Sequence, residues 1–363
     1  MRVTLPCRRA IYADDHDAFR DSVRGFVAAE IVPHLDDWRR KGQVPRSVLA
    51  AAGRAGFLGT AVPETFGGGG TEDLAFLAVL VEEAVAVGAT GVALIAALHA
   101  GVVIPYLLEH GSDADKERLL PGLATGELIA VPAPAGSLAV DDGRLTGSLS
   151  SVPGARSADI LLLDSRVGPR FVETANPAIR ITAESAGLGA VEAGLADVAL
   201  DTVQATAATT QHVSIQPDLD LWFSVLALAG ARTAVELAVE YATSRKVFGR
   251  PLAEFQNTRF RLAEISAELI TATTFVDHCV SARGRGELGA TDAAAARLVT
   301  TSLHDRAVDQ SLQLHGGYGY MREYPIAQAF ADARFLRLAA QCYSDPRGVL
   351  APTSTGSASP TRA

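Results

Sequence analysis

The sequence predicts an α+β protein of several domains: an N-terminal helical domain, a small middle β-sheet or barrel domain, and a C-terminal four-helix bundle. Apolar residues recur at helical spacing as far as about residue 125, and short β-rich segments separated by Gly, Pro and Asp follow. Four long helical segments then occupy most of the remaining chain. We place the domains at residues 1–125, 126–214 and 215–346, and expect residues 347–363 to be a disordered tail.

The N-terminal domain is predicted from amphipathic periodicity. One apolar stripe opens it, formed by Phe19, Val23, Phe26, Val27 and Ile31. The segment from Val87 to Leu108 has no formally charged residue and is long enough to span a bilayer. Acidic rather than basic residues flank it, so we interpret it as a buried core helix and predict no membrane span.

Short apolar segments predict the sheet of the middle domain, and long ones predict the bundle. The β-rich segments are LIAVP, RLTGSLSS, DILLLDS, PRFVET, AIRIT and VALDTVQ. The four helical segments begin at LWFSV, LAEFQ, TDAAA and PIAQA. Such long helices have more apolar surface than one bundle core needs, which predicts a dimer or tetramer.

Composition limits the possible functions. The 363 residues include 48% hydrophobic and 20% charged residues, as is usual for a folded protein. Lys and Arg number 32 against 41 Asp and Glu, and this net charge of −9 argues against a nucleic-acid-binding role. Cys7, Cys279 and Cys342 lack paired spacing, which indicates a reducing compartment and predicts no metal site. The N-terminus lacks the apolar run of a signal peptide, so we predict a cytoplasmic location.

Four motifs stand in a characteristic order. They are AVPETFGGGG in the first domain, SRKVFGRPLAEFQ at Ser244–Gln256, LQLHGGYGYMREYP at Leu312–Pro325, and ADARF from Ala331. They resemble the P-E-x-x-G-G-x-G, R-x-x-F-G-x-P-L-x-x-x-Q, Q-x-x-G-G-x-G-Y-x-x-E-x-P and R-D-A-R motifs of the acyl-CoA dehydrogenase family. The first Arg of the last motif is lost. The resemblance covers about residues 15–345 and implies that family's fold.

The resemblance also implies FAD as cofactor. It implies that six residues reach across a dimer interface to the FAD of the neighbouring subunit: Arg245, Phe248, Gln256, Gln313, Gly316 and Gly317. A pyrophosphate needs a fixed cation and closely approaching backbone, which an arginine and two glycines can supply. The structural alternative is that Arg245 only ends a helix and that the glycines only form a turn.

The catalytic glutamate of the family is absent from both positions where relatives carry it. The reaction removes an α-proton with a carboxylate while the β-hydrogen leaves as hydride to the flavin. Counting from Tyr324 places that base at Ala340. Other relatives carry it in a Glu-Arg pair on the first bundle helix, where this chain has Leu219 and Asp220. We therefore assign no catalytic residue.

The middle domain has also lost family residues. Where the family has T-E-P-x-A-G-S-D, whose threonine region touches the flavin, this chain reads VPAPAGS at 131–137. The G-x-K-x-W-I-T strand, whose aromatic residue covers the flavin, corresponds to GSLSSVP at 147–153. These losses, together with the missing base, indicate that the chain does not build a complete active site from its own residues.

Four hypotheses follow. The leading one is a non-catalytic or half-site subunit of a heteromeric acyl-CoA dehydrogenase, whose homologous partner supplies the glutamate and flavin pocket for an acyl-CoA or acyl-carrier-protein thioester. The second is an active homo-oligomer with a displaced acid, for which Asp220, Glu323 and Asp345 are candidates. The third is a flavin monooxygenase or oxidase of the same fold, and the fourth is a scaffold protein without flavin.

Overall fold

The computed structural model describes residues 9–134, 137–163, 168–183, 187–207 and 213–351. Helices, then strands, then long helices follow one another in the predicted order, which confirms the fold class. Cys7 and residues 352–363 of the predicted tail lie outside the described ranges. The tail was placed from residue 347, but Arg347–Leu350 form a short helix that packs beside the bundle, so this part of the prediction is wrong.

Seven helices form the N-terminal region. They are α1 (Asp14–Phe26), α2 (Leu35–Lys41), α3 (Arg46–Arg54), α4 (Ala75–Ala86), α5 (Thr90–Leu98), α6 (Ile104–His110) and α7 (Asp113–Ala124). The predicted apolar stripe is confirmed, because Val23, Val27 and Ile31 are fully buried. A π-helical segment, His99–Val103, joins α5 to α6 just before Pro105, which lacks the N–H that a regular α-helix would use.

The predicted apolar core helix corresponds to α5, the π segment and α6 together. By length and composition, Thr90–His110 and Gln216–Ser244 could each cross a membrane. The most apolar 18-residue window of the first is 94% buried within the protein, and that of the second is 72% buried. Burial of this extent is typical of core helices, as the acidic flanks of the first segment predicted.

Two four-stranded sheets form the middle region. The strands are β1 (Ala130–Ala133), β2 (Ser137–Asp141), β3 (Arg144–Val152), β4 (Ile160–Leu163), β5 (Arg170–Glu173), β6 (Ile179–Ala183), β7 (Ala196–Gln204) and β8 (Thr206–Ala207). One sheet has the order β1-β4-β5-β8 and the other β2-β3-β7-β6. Strands β1 and β4 are parallel, with Ala130 opposite Ile160, and both are wholly buried. This half of the first sheet therefore lies inside the protein, while β5 ends at the exposed Glu173.

The C-terminal bundle contains four long helices and the short helix that follows them. They are α8 (Gln216–Ser244), α9 (Gln256–Gly284), α10 (Ala290–His315), α11 (Pro325–Tyr343) and α12 (Arg347–Leu350). A two-stranded hairpin, β9 (Lys246–Val247) and β10 (Arg250–Pro251), links α8 to α9. Because consecutive helices reverse direction, the end of α8, the start of α9 and the end of α10 lie at one end of the bundle.

Two buried polar side chains connect the three regions. The Asp332 carboxylate on α11 accepts hydrogen bonds from the Thr90 hydroxyl and the Ala190 N–H, both at 2.7 Å. His99 accepts the Ala130 N–H at Nδ1 (3.1 Å), while its Nε2 lies 3.0 Å from the Leu123 carbonyl. Burial lowers the pKa of His99, so the ring is neutral and Nε2–H is the donor. These bonds fix where the sheet meets the helices.

Candidate functional site

The six predicted cofactor-contacting residues lie at one end of the bundle, and all of them are exposed. We call this set, Arg245, Phe248, Gln256, Gln313, Gly316 and Gly317, the donor face. Arg245 follows the last residue of α8, Gln256 is the first residue of α9, and Gln313 lies in the last turn of α10. The Arg245 guanidinium lies 5.6 Å from the centre of the Tyr318 ring, which joins the hairpin region to the glycine turn.

Backbone geometry presents this surface to the outside. Phe248 is 94% exposed at the hairpin tip, and its φ of +51° lies in the left-handed region that non-glycine residues rarely adopt. Gly316 has a φ of +58°, and no atom lies within 4 Å of the position that a Cβ would take on Gly316 or Gly317. A ligand or a second protein can therefore approach this backbone closely.

Arg297 links the two chain segments in which the catalytic base was expected. Leu219 and Ala340 are both buried, and Arg297 lies between their helices. The Arg297 guanidinium donates to the Ala340 carbonyl and pairs with the Asp220 carboxylate, at 3.0 Å in each case. We call the place where Leu219, Asp220, Arg297 and Ala340 meet the base corner.

None of the three candidate displaced acids is a free carboxylate at the base corner. Asp220 is 1% exposed and is held by Arg297 and by the Gln216 amide at 2.7 Å. Burial raises its pKa, although the charge of Arg297 opposes this effect. Asp345 is exposed, and its hydrogen bond from Arg347 lowers its pKa to about 2. Glu323 is exposed before α11 begins, roughly 23 Å from Ala340 along that helix.

Aromatic side chains close the seam between the first sheet and the bundle. Helix α11 continues past Ala340 to Tyr343, whose hydroxyl donates to the Pro132 carbonyl of β1 at 2.9 Å. The Phe223 ring packs against Tyr343, with 5.8 Å between ring centres. Pro132 and Pro134 also remove two N–H donors from this segment. Within the described part of 131–137, the segment expected to touch a flavin therefore contacts protein instead.

A tryptophan fills the adjoining space between α8 and the π segment. Trp222 is fully buried and donates its indole N–H to the Gly101 carbonyl at 2.8 Å. A Cβ on Gly101 would lie only 2.2 Å from the indole nitrogen, so this contact requires glycine. The segment expected to have lost the flavin-covering aromatic, 147–153, includes most of β3, which pairs with β2 and β7 in the other sheet.

Comparisons with known proteins agree with this architecture. The profile "Acyl-CoA dehydrogenase, N-terminal domain" matches residues 13–127, and "Acyl-CoA dehydrogenase, C-terminal domain" matches residues 222–340. The chain belongs to the acyl-CoA dehydrogenase family. It is 29% identical over 369 residues to the mitochondrial long-chain specific acyl-CoA dehydrogenase of Mus musculus, covering 90% of this chain and 83% of that protein. These matches confirm the family resemblance that the sequence motifs predicted.

Solved structures of the family share the fold. The acyl-CoA dehydrogenase from Geobacillus kaustophilus matches with a TM-score of 0.83 and 26% identity, covering 92% of this chain and 96% of that one. A glutaryl-CoA dehydrogenase from Mycobacterium smegmatis in complex with FADH2 matches with a TM-score of 0.82 and 19% identity, over 94% of this chain and 93% of that one. Members of the acyl-CoA dehydrogenase family bind FAD and act on acyl-CoA thioesters.

The donor face has the chemistry to contact FAD. The donor face offers an exposed cation, two amide side chains and uncovered glycine backbone, which suit a pyrophosphate approaching from outside. At the seam, the Tyr343 hydroxyl donates to the Pro132 carbonyl at 2.9 Å, so the first sheet and the bundle are in direct contact there. The described residues contain no group of three or more His, Cys, Asp or Glu that could hold a metal ion.

The sequence analysis did not predict three residues that join the bundle helices to each other, to the N-terminal helices and to the first sheet. Tyr343, Trp222 and Arg297 act through long-range contacts with Pro132, Gly101 and Ala340, and no motif marks such pairs. One sequence signal could have pointed to Tyr343. This tyrosine stands three residues after the expected base position and continues the apolar face of the helix that begins at Pro325. His315, beside the glycine turn, has structural contacts: its Nδ1 lies 2.7 Å from the Ser311 carbonyl and its ring stacks on Tyr241.

Proposed function

We propose that this chain is a non-catalytic, half-site subunit of a heteromeric acyl-CoA dehydrogenase. A homologous partner contributes the catalytic glutamate and the flavin pocket, and this chain contributes its donor face to the partner's FAD. The substrate is an acyl-CoA or acyl-carrier-protein thioester bound by the partner. We place the assembly in the cytoplasm as a dimer of unlike subunits or a tetramer built from two such dimers.

The observation that supports this proposal is the hydrogen bond from Tyr343, three residues after the expected base position, to Pro132, in the segment that aligns with the family's flavin-contacting threonine region. At the base corner, Arg297 forms an ion pair with Asp220, which is the only carboxylate among the four residues of that corner. The donor face, in contrast, remains exposed in every one of its six residues. A base corner without a free carboxylate and an exposed surface that suits a nucleotide are what a chain that serves a neighbour's site would have.

Each donor-face residue has a defined task in this arrangement. FAD, when bound by the partner, supplies the hydride acceptor of the reaction. Arg245 would pair with its pyrophosphate, and the guanidinium is held for this contact by the Tyr318 ring. Gln256 and Gln313 would offer amide hydrogen bonds from the ends of α9 and α10. Gly316 and Gly317 would let the backbone approach the cofactor without steric conflict.

Co-expression with a homologous subunit that retains the glutamate tests the proposal. Purified complexes should contain one FAD for each unlike pair, counted from flavin absorbance and native mass, and the chain alone should contain none. Arg245→Gln should weaken retention of FAD by the complex at least tenfold. Arg180→Gln, which removes an exposed arginine of β6, is the matched control and should change nothing. One FAD per chain in a purified homo-oligomer would refute the proposal.

A second candidate is an active homo-oligomer that uses Asp220 as its base. The observation in its favour is that this carboxylate lies at the base corner, linked to Ala340 through Arg297. Against it, an aspartate fixed by an arginine and a glutamine amide at 1% exposure is poorly placed to accept a substrate proton. Turnover by the purified chain that Asp220→Asn abolishes would establish this alternative.

A further inference from the structure

The end of the bundle that carries the donor face is basic, although the protein as a whole is acidic. We call five exposed cations of the segment from residue 245 to residue 261 the basic edge: Arg245, Lys246, Arg250, Arg259 and Arg261. The same segment contains one acidic residue, Glu254, whereas the whole chain has a net charge of −9. Positive charge is therefore concentrated beside the donor face.

The fold brings these cations to one end of the bundle. The hairpin of β9 and β10 folds back onto the end of α8, where the Arg245 carbonyl accepts a backbone hydrogen bond at 2.7 Å. The Arg250 guanidinium lies 4.1 Å from the centre of the Phe255 ring, which directly precedes α9. Arg259 and Arg261 follow within the first two turns of α9, or roughly 8 Å along that helix.

None of the five cations forms an ion pair within the described ranges of the chain. The carboxylates nearest to them in sequence are exposed and pair with none of them; these are Glu240, Glu254 and Glu264. Further along α10, in contrast, the exposed Arg306 is paired with Glu268. The positive charge of the basic edge is therefore not balanced by its own surroundings.

This arrangement does not stabilise the isolated chain. Arg259 stands in the first turn of α9, where the helix dipole opposes a cation and where no acidic residue balances it. Exposed aromatic residues accompany the cations, namely Phe248, Phe260, Tyr318 and Tyr320. Arginine and aromatic residues are the types that are enriched in protein–protein interfaces and in their energetic hot spots. The composition of this surface is therefore that of an interface.

We propose that the basic edge docks against an acidic surface that surrounds the FAD site of the homologous partner subunit. This role rests on the proposed half-site function and adds to it the chemistry that selects the partner. Arg245 would contact the cofactor, but a pyrophosphate has one negative charge on each phosphate, which is too few to balance five cations. The other four would pair with carboxylates of the partner. Complementary charge steers association and disfavours a partner that is basic at this position.

Charge reversal tests this role in the complex with the homologous subunit, whose affinity biolayer interferometry measures. Arg259→Glu combined with Arg261→Glu should weaken binding at least tenfold at about 50 mM NaCl, and the difference should largely disappear at about 500 mM. Arg54→Glu combined with Arg180→Glu is the matched control. It changes the net charge equally, at exposed positions of α3 and β6, and should bind as the wild type does.

Two features keep the result independent of folding. A glutamate in the first turn of α9 is favoured by the helix dipole, so the reversed variant should fold. Arg259→Lys combined with Arg261→Lys retains both charges and should bind within about threefold of the wild type.

The outcomes separate this role from the half-site function. An FAD-containing complex whose affinity is unchanged by charge reversal, or by salt, would overturn the acidic docking surface and leave the half-site function intact. One FAD per chain in a homo-oligomer, or no complex with the homologous subunit, would overturn both. A thymidine oligonucleotide that binds the wild-type chain more tightly than the homologous subunit does would assign the basic edge to nucleic acid and overturn the proposal.

Discussion

Replacing Glu192 with glutamine should remove a pH-dependent loss of stability. Glu192 lies in the loop between β6 and β7 and is fully buried. Its Oε1 accepts the Gly91 N–H at 2.8 Å, whereas Oε2 has no hydrogen-bond partner within the described residues. Arg39 Nε lies 3.8 Å from that oxygen, and Asp332 acts on it as a second negative charge. Burial, reinforced by Asp332, raises the pKa of Glu192 to about 7.

The sign of the effect follows from where the proton is bound. In an unfolded chain this carboxyl titrates near its ordinary value of 4.5. Between about pH 4.5 and 7 the native protein keeps a proton that the unfolded chain has lost, so stability falls as the pH rises through this window. The two pKa values correspond to about 3 kcal/mol of unfolding free energy. Glutamine keeps the acceptor for Gly91 and carries no charge, so this loss should disappear.

Guanidinium chloride unfolding at pH 5, 6, 7 and 8 measures this effect. Glu192→Gln should match the wild type near pH 5 and exceed its stability by about 3 kcal/mol at pH 8. Glu117→Gln, at an exposed position of α7, is the control and should follow the wild type at every pH. If Glu192→Gln were less stable than the wild type at pH 8, or had the same pH dependence, the carboxylate would not be the destabilising group.

Three further predictions concern the closed interior and the exposed face. Gly101→Ala should lower the unfolding free energy by about 3 kcal/mol, because its Cβ would overlap the Trp222 indole; denaturation curves that match the wild type would contradict this. Arg297→Met should cost about 3 to 5 kcal/mol in the same assay by leaving Asp220 buried and unpaired, and adding Asp220→Asn should restore at least half of the loss. Phe248→Gly should change the stability of the isolated chain by less than about 1 kcal/mol, since relief of the left-handed backbone offsets the flexibility of glycine. The same variant should weaken association with the partner at least tenfold in native mass measurements, and unchanged association would show that the hairpin tip makes no contact.

Local patterns were sufficient to predict the elements. Each of the six predicted β-rich segments contains an observed strand, because alternating apolar residues between Gly, Pro and Asp leave few other conformations. The four long helices were also predicted from periodicity alone. Strand β2 was missed, since its Leu138 and Val140 alternate with small and acidic residues over only five positions. The helix at Arg347–Leu350 was missed because four residues are too few for a periodic signal.

The residues of the candidate site also differ in whether a local pattern could predict them. Motif residues such as Arg245 and Gly316 could be found because their roles follow from short, fixed spacings. The contacts that Tyr343 and Trp222 make could not be predicted, because they join residues that are far apart in the chain. Tyr343 meets Pro132 across 211 positions, and Trp222 meets Gly101 across 121. The sequence predicts that a base is missing, while only the fold shows that Tyr343 and Phe223 pack against each other beside that position.

The hairpin tip makes the strongest physical case that the donor face is covered in the functional assembly. A non-glycine residue in the left-handed region costs roughly 1 kcal/mol, and Phe248 adopts it while leaving its ring 94% exposed to water. Tyr320, on the neighbouring turn, is 88% exposed as well. Neither feature stabilises the isolated chain, so both are understandable only as preparation for a contact. Inside the same chain, Trp222 is fully buried against Gly101 and Tyr343 bonds to Pro132. The exposed aromatic residues of the hairpin tip and the glycine turn are therefore the surface on which the proposed contact with a neighbouring subunit can be tested first.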